Sequence, residues 1–150
     1  MSLAEGDPAP GFSLPATAGR TAASAALKGK PFVLYFYPKA DTPGCTKEAQ
    51  AFEQDLAGLD VIGVSKDPMQ ALEKFAAKYG LTFPLASDPD GTVVEAYGAW
   101  VEKSMYGKNY MGIDRSTFLI DPHGAIAQIW RKVKVPGHAA EVMQAAKALK

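Results

Sequence analysis

The sequence predicts an α/β domain with a central mixed β-sheet flanked by helices. Three observations predict it. The apolar run Pro31-Phe32-Val33-Leu34-Tyr35-Phe36-Tyr37 is followed at once by a stretch of helical period. Val61-Ile62-Gly63-Val64 and the residues after it repeat that pattern. Two later apolar runs surround Asp121-Pro122-His123-Gly124 and precede a last helical stripe. A helix between two strands makes them parallel with a right-handed crossover, and a tight turn makes the later pair antiparallel.

The first 30 residues are rich in Pro and Gly and read as loop, with Phe12 and Leu14 alternating as in a short edge strand. The run from Pro31 is too short for a helix and reads as a strand buried on both faces, closed by Pro38. Over residues 43–58, Ala49, Phe52, Leu56 and Leu59 recur at three- and four-residue steps. Thr42 suits the N-cap of this helix and Pro43 its first position. The segment Asp67-Pro68-Met69-Gln70 reads as a capping box with Pro at N1. Leu72, Phe75, Ala76 and Tyr79 form the stripe it opens, and Gly80 stops it. Residues 81–99 hold a short apolar segment near Phe83–Leu85 and a helical stretch near Thr92–Tyr97. Thr117–Ile120 and Ala125–Trp130 are the hairpin, and residues 138–149 the last helix, with Val142, Ala146 and Leu149 inward. This order of elements is the thioredoxin-like arrangement, with an N-terminal extension and an insertion.

A chain of 150 residues is one ordinary domain, spanning 1–150. With 47% hydrophobic and 21% charged residues it has the composition of a folded protein. Lys plus Arg is 16 and Asp plus Glu is 16, a balance that argues against nonspecific binding to nucleic acid or anionic membrane. The N-terminus lacks the basic and apolar regions of a signal peptide, so a cytoplasmic protein is expected. The single cysteine excludes an internal disulfide, and two histidines, His123 and His138, are too few for a His-rich metal site. The cluster Arg131-Lys132-Val133-Lys134 reads as a solvated strand end.

The chemistry concentrates in Pro38-Lys39-Ala40-Asp41-Thr42-Pro43-Gly44-Cys45-Thr46-Lys47-Glu48. The cysteine falls in the first turn of a helix that follows a buried strand. Unpaired backbone N–H groups and the positive end of the helix dipole favour an anion there. Helix N-termini and neighbouring cations convert thiols, mostly neutral at pH 7, into nucleophilic thiolates. A buried, inert cysteine would occupy the same place. Thr42 stands where a dithiol protein has its other cysteine, so Cys45 can attack an oxidant but cannot close a disulfide within the motif. The Thr42 hydroxyl both donates and accepts, which suits an oxidant of the HO–OR type as well as a plain N-cap.

These segments resemble the peroxiredoxins, specifically the bacterioferritin-comigratory-protein or plant Q-type subfamily. The pattern Pro-x-x-x-Thr-x-x-Cys is complete at Pro38, Thr42 and Cys45, and Tyr35-Phe36-Tyr37-Pro38 and Arg115-Ser116-Thr117-Phe118-Leu119-Ile120-Asp121 match the same subfamily. So does Trp100–Gly112, with Lys103 and Tyr106-Gly107-Lys108. The resemblance implies a thiol-dependent peroxidase that reduces hydrogen peroxide and organic hydroperoxides without cofactor or metal. It makes Cys45 the peroxidatic cysteine and Thr42 the group that bonds the peroxide and holds the thiolate. Pro38 would shield the sulfur, Arg115 would stabilise the thiolate and the leaving oxygen, and Glu48 would orient Arg115. A structural ion pair at Arg115 and a solvated Glu48 are the plainer readings of those two residues.

Many members carry a second cysteine at the position of Gln50, and others near Val94; here neither is cysteine. A one-cysteine variant needs an external thiol, such as thioredoxin or glutaredoxin with glutathione, to reduce its sulfenic acid. Two other readings stay open: a monothiol oxidoreductase acting on disulfides or glutathione adducts, and a non-enzymatic peroxide sensor that passes oxidation to a partner. A monomer or weak homodimer is expected. Tyr37, Phe52, Trp100, Met105, Tyr106 and Met111 are candidate walls of a substrate pocket.

Overall fold

The computed structural model describes residues 3–56 and 58–149. Its central sheet has seven strands, and both of its faces are apolar. The third of them in chain order, β3 (Phe32–Phe36), is buried along its full length. Phe32, Leu34 and Phe36 belong to one core layer, while Val33 and Tyr35 belong to the other. This alternation is why a continuous apolar run is needed there: each face of a central strand meets its own layer.

Before it come β1 (Ser13–Ala16) and β2 (Arg20–Ala23), an antiparallel pair. After it come α1 (Pro43–Asp55), β4 (Asp60–Ser65), α2 (Met69–Tyr79), β5 (Leu85–Ser87) and α3 (Thr92–Ala96). The chain continues through β6 (Trp100–Met105), β7 (Lys108–Ile113), β8 (Ser116–Ile120), β9 (Ile126–Trp130) and α4 (His138–Lys147). The strand order is β2-β1-β5-β4-β3-β8-β9, with β3, β4 and β5 parallel and β8 antiparallel to β3. Buried residues of α1, α2 and α4 cover one face. Val93, Val94 and Tyr97 pack with Phe12 against the other.

Several expectations need correction. The segment around Leu14 is not an edge strand, because β1 also bridges β5; the edge is β2, in a stretch whose composition suggests loop. The insertion folds as its own two-stranded sheet, β6 with β7, turning at Tyr106 and Gly107, both at positive φ. That is the turn geometry that matches the strand twist, although Tyr is an unusual choice for it. The Asp67 side chain does not cap α2. Pro68 is the N-cap, and the Asp67 carboxylate accepts from the Ala40 amide at 2.7 Å and the Ser65 hydroxyl at 2.8 Å. The helices α1 and α4 are shorter than their apolar stripes suggest, ending at Asp55 and Lys147. Val142 is fully buried, whereas Ala146 and Leu149 are only partly so. The basic cluster is not simply solvated: the Arg131 guanidinium donates to the carbonyls of Tyr97 and Gly98 and lies over the Phe118 ring. Among the described residues, no helix is long and apolar enough to cross a membrane.

One contact between β3 and β4 places Tyr35 beside Gly63. A Cβ at Gly63 would come within 2.9 Å of the Tyr35 ring and hydroxyl, and Tyr35 is fully buried. Replacing Gly63 by alanine is therefore expected to destabilise the protein by about 1–3 kcal/mol through overpacking. Urea unfolding would show a lower midpoint with an unchanged slope.

Candidate active site

The helix α1 starts where the buried strand β3 runs out. The Tyr37 amide still donates to the Val64 carbonyl at 3.1 Å, and Pro38 ends the pairing. The loop that follows is held from outside. The Ala40 amide bonds Asp67, and Asp41, in the left-handed region at φ 62°, accepts from Lys78 Nζ at 3.0 Å and the Tyr79 hydroxyl at 2.6 Å. Thr42 is the N-cap by backbone, extended at φ −93° and ψ 156°, with its carbonyl accepting from the Thr46 amide. Its side chain does not cap, which corrects the expectation from sequence. The hydroxyl donates to the Lys39 carbonyl at 2.8 Å instead.

Pro43 and Gly44 open the helix, so Cys45 sits in its first turn, where backbone N–H groups have no helical acceptor. The Cys45 side chain packs in the layer with Tyr35, Tyr37, Ala49 and Phe52, and the residue is 2% exposed. Glu48 lies three residues on, one turn along the same face, and is also buried.

Arg115 arrives from the opposite direction. It immediately precedes β8, whose Ser116 lies across from Phe36 of β3. The register therefore brings Arg115 to the end of β3 where α1 begins. Its carbonyl accepts from the Val133 amide at 2.9 Å, which fixes the backbone. The guanidinium then bridges two residues of α1: Nη1 donates to Glu48 Oε1 at 2.6 Å, and Nη2 donates to Cys45 Sγ at 3.3 Å. Gly44 makes room for this. A Cβ there would stand 3.2 Å from Arg115 Nη2.

Electrostatics follow from burial. Glu48 is 1% exposed, and its Oε2 has no hydrogen-bond partner among the described residues. Desolvation pushes its carboxyl up to about 7, although the Arg115 charge and hydrogen bond pull it down. Burial works against the Arg115 cation, but Glu48 and Cys45 outweigh it and hold the guanidinium above its ordinary value. The Tyr35 hydroxyl is raised by burial first, then by Tyr37, Glu48 and Cys45. Farther along the layer, His138 Nε2 lies 2.8 Å from Thr117 Oγ1. Burial lowers the His138 imidazole against the pull of Glu141, with Arg115 adding to the fall.

The structure thus brings Cys45, Glu48 and Arg115 into one hydrogen-bonded chain, and Glu48 is not a solvated helix residue. Thr42 stands at the head of the helix with its hydroxyl turned to Lys39, out of hydrogen-bond contact with Cys45. Pro38 is exposed and lines a groove of about 370 Å³ between the loop and the β6–β7 sheet. Trp100 and Met111 line the same groove. Of the other aromatic and methionine candidates, Tyr37 and Phe52 are core, while Met105 and Tyr106 are exposed on the β6–β7 hairpin. Gln50 is exposed, whereas Val94 is fully buried in the layer across the sheet from Cys45. In this conformation position 94 and the sulfur therefore belong to different core layers. The supporting roles of Gly44, Asp41, Asp67 and Tyr79 emerge only from the structure. Gly44 carries a signal in its place beside the cysteine, but Asp41 and Tyr79 are far apart in sequence and nothing local joins them.

Known proteins share this arrangement of sequence over nearly its whole length. The AhpC/TSA family profile matches residues 5–129. Peroxiredoxin Bcp of Xanthomonas campestris is 47% identical over 148 residues, covering 94% of this chain and 92% of that protein. Peroxiredoxin Bcp of Bacillus subtilis is 45% identical over 152 residues, covering 98% of this chain and 97% of its own. The solved structure of the Xanthomonas campestris bacterioferritin comigratory protein superposes with a TM-score of 0.85 at 44% identity, covering 91% of this chain and 90% of that one. A thiol, an arginine and a buried glutamate linked at the head of a helix therefore sit on a thioredoxin-like scaffold with peroxiredoxin relatives at both the sequence and the structural level, and the chain belongs to the AhpC/TSA family, among its Bcp or Q-type peroxiredoxins.

Proposed function

We propose that this thiol-dependent peroxidase works through Cys45, with Arg115 and Thr42 on the reacting atoms and Glu48 and Pro38 around them. The observation that supports this most is the guanidinium bridge from Cys45 Sγ to Glu48. The Cys45 thiolate attacks the terminal oxygen of the peroxide, the O–O bond breaks, and the sulfur becomes sulfenic acid while an alkoxide or hydroxide leaves. Arg115 Nη2, already donating to the sulfur, stays within reach of the charge as it passes to the leaving oxygen. A fixed donor needs no reorganisation as that charge moves, and such a donor is worth roughly 10²–10³ in rate. Thr42 donates its hydroxyl proton to Lys39, so toward a peroxide it presents lone pairs and accepts the peroxide O–H. Glu48 holds the guanidinium in place, and Pro38 borders the approach.

The described alkyl peroxide reduction activity of the Xanthomonas campestris relative supports organic hydroperoxides as substrates here beside hydrogen peroxide. With one cysteine in the chain, the sulfenic acid is returned to thiolate by a thiol from outside.

Intact-mass measurement tests the nucleophile directly. Reduced protein mixed with an equimolar amount of hydrogen peroxide and dimedone is expected to carry a full sulfenic-acid adduct. Cys45→Ser should carry none and should lose turnover; an unmodified wild-type thiol would sink the reading. Gly44→Ala tests the bridge. The added methyl displaces Nη2 by a few tenths of an ångström, and oxidation of Cys45 is expected to slow about tenfold in stopped flow while the unfolding midpoint barely moves.

Glu48 gives a pH signature. Its folded-state pKa is raised from 4.5 to about 7, so its neutral form is favoured in the folded chain. The stability this confers is full below about 4.5 and is lost as pH rises to about 7. The stability of wild type relative to Glu48→Gln should therefore fall between pH 4.5 and 7.5. Urea unfolding of both proteins at the two pH values measures it, and a difference that rises with pH would contradict the burial argument.

A further inference from the structure

We propose that the groove between the β6–β7 sheet and the loop after β3 binds the reductant, and that this reductant is a small anionic thiol of peptide size. The proposal rests on the sulfenic-acid reading above.

The sulfur sets the first condition. Cys45 is 2% exposed, so any thiol reaches it only as the first turn of α1 opens, and a small thiol needs far less of an opening than a protein surface does. The groove is lined by residues close along the chain to those of the site. Pro38, on its rim, is four residues before Thr42, and Ile113, also on it, is two residues before Arg115. It opens at the carboxyl ends of β3 and β4, where ligands of α/β sheets characteristically sit. Its volume of about 370 Å³ falls within the range of small-ligand sites, roughly 300–1,000 Å³.

Charge sets the second condition. Lys66 and Lys103 both line the groove and are partly buried, and no lining residue is acidic. Neither lysine is in an ion pair; among the described residues those are Lys78 with Asp41 and Arg115 with Glu48. Lys66 Nζ instead lies 4.1 Å over the Trp100 ring. Gly112 lets the rest close in, since a Cβ there would meet the Lys103 stem at 3.3 Å and the Tyr110 ring at 3.4 Å. Two uncompensated ammonium groups above aromatic and aliphatic surface suit a ligand with carboxylates and a peptide backbone.

The step balances with a thiol alone. The thiolate of the reductant attacks Cys45–SOH, forming a mixed disulfide and releasing hydroxide, which takes up the thiol's proton as water. A second thiolate attacks the reductant's own sulfur, freeing the Cys45 thiolate and leaving with the first as a symmetrical disulfide. In sum, one peroxide and two thiols give one alcohol, one water and one disulfide.

The test uses protein oxidised with equimolar hydrogen peroxide, in which the sulfenic acid is first verified by trapping. Failure to form it overturns the nucleophile reading and is distinguishable from failure of this one. Reduction is then followed by intact mass with glutathione (net negative), 2-mercaptoethanol (neutral) and cysteamine (positive) at equal thiolate concentration. We expect glutathione to exceed 2-mercaptoethanol about tenfold and to lose that advantage at high salt, with cysteamine slowest. In K66M/K103M, which keeps the aliphatic stems, the ratio of glutathione to 2-mercaptoethanol should fall to near unity. Equal rates for the three thiols in wild type, or a ratio untouched by both salt and the double variant, would overturn the proposal. So would a protein dithiol such as thioredoxin that outruns glutathione and slows in the double variant, because the groove would then be a docking surface for a protein.

Discussion

The Arg115 bridge is the interaction on which the rest of the structure depends. It sits between a buried carboxylate and a buried sulfur, at 2.6 and 3.3 Å, in a place where water cannot compensate either. A buried charge without a partner costs several kcal/mol, so Glu48 needs Arg115 as much as Arg115 needs Glu48 to fix its plane. Buried pairs of this kind are weak evidence for stability. Their use here is geometric, because a guanidinium tied down through Nη1 has its Nη2 aimed at one point.

Three separate features of the fold converge to build that bridge. The spacing of Cys45 and Glu48 puts both on one side of α1. The antiparallel register of β8 on β3 brings Arg115 to the same end of the sheet as the helix start. The absent side chain at Gly44 permits the close approach. The loop before the helix is held in turn by Asp67 from the end of β4 and by Lys78 and Tyr79 from the end of α2. Asp41 keeps an unfavourable left-handed conformation within that grip, which sets where Thr42 begins the helix. The site therefore draws on β3, β4, α2 and β8 although its sulfur comes from α1 alone.

The β6–β7 sheet stands apart from this frame. It contributes no strand to the main sheet and leaves Met105, Tyr106, Tyr110 and Met111 exposed. Its inner end returns to the core at Ile113, just before Arg115. An insertion placed there can shape the surroundings of the sulfur without disturbing the helix or the arginine. Variation of substrate or reductant among proteins with this scaffold has a natural seat in such a segment.

Much of the molecule is legible in the residues themselves. The apolar run of β3, the three- and four-residue steps of α1 and the turn at Asp121–Gly124 each carry a local period or punctuation, and they appear where that chemistry puts them. Cys45 at the head of a helix is equally legible, because Thr42 and Pro43 mark the helix start locally. What the sequence could not decide depends on pairs distant along the chain. Asp67 has the look of a helix cap, but the Ala40 amide and Ser65 hydroxyl compete for the same carboxylate and win. Thr42 has the look of one too, yet its hydroxyl finds the Lys39 carbonyl. Glu48 could have been solvated, and only the packing of α1 onto the sheet buries it opposite Arg115. Local periodicity determined the elements and the place of the cysteine at a helix head, because hydrogen-bond geometry and side-chain spacing act over a few residues. Tertiary register alone decided the partners, because a carboxylate or a hydroxyl bonds whichever donor or acceptor the folded chain brings within about 3 Å.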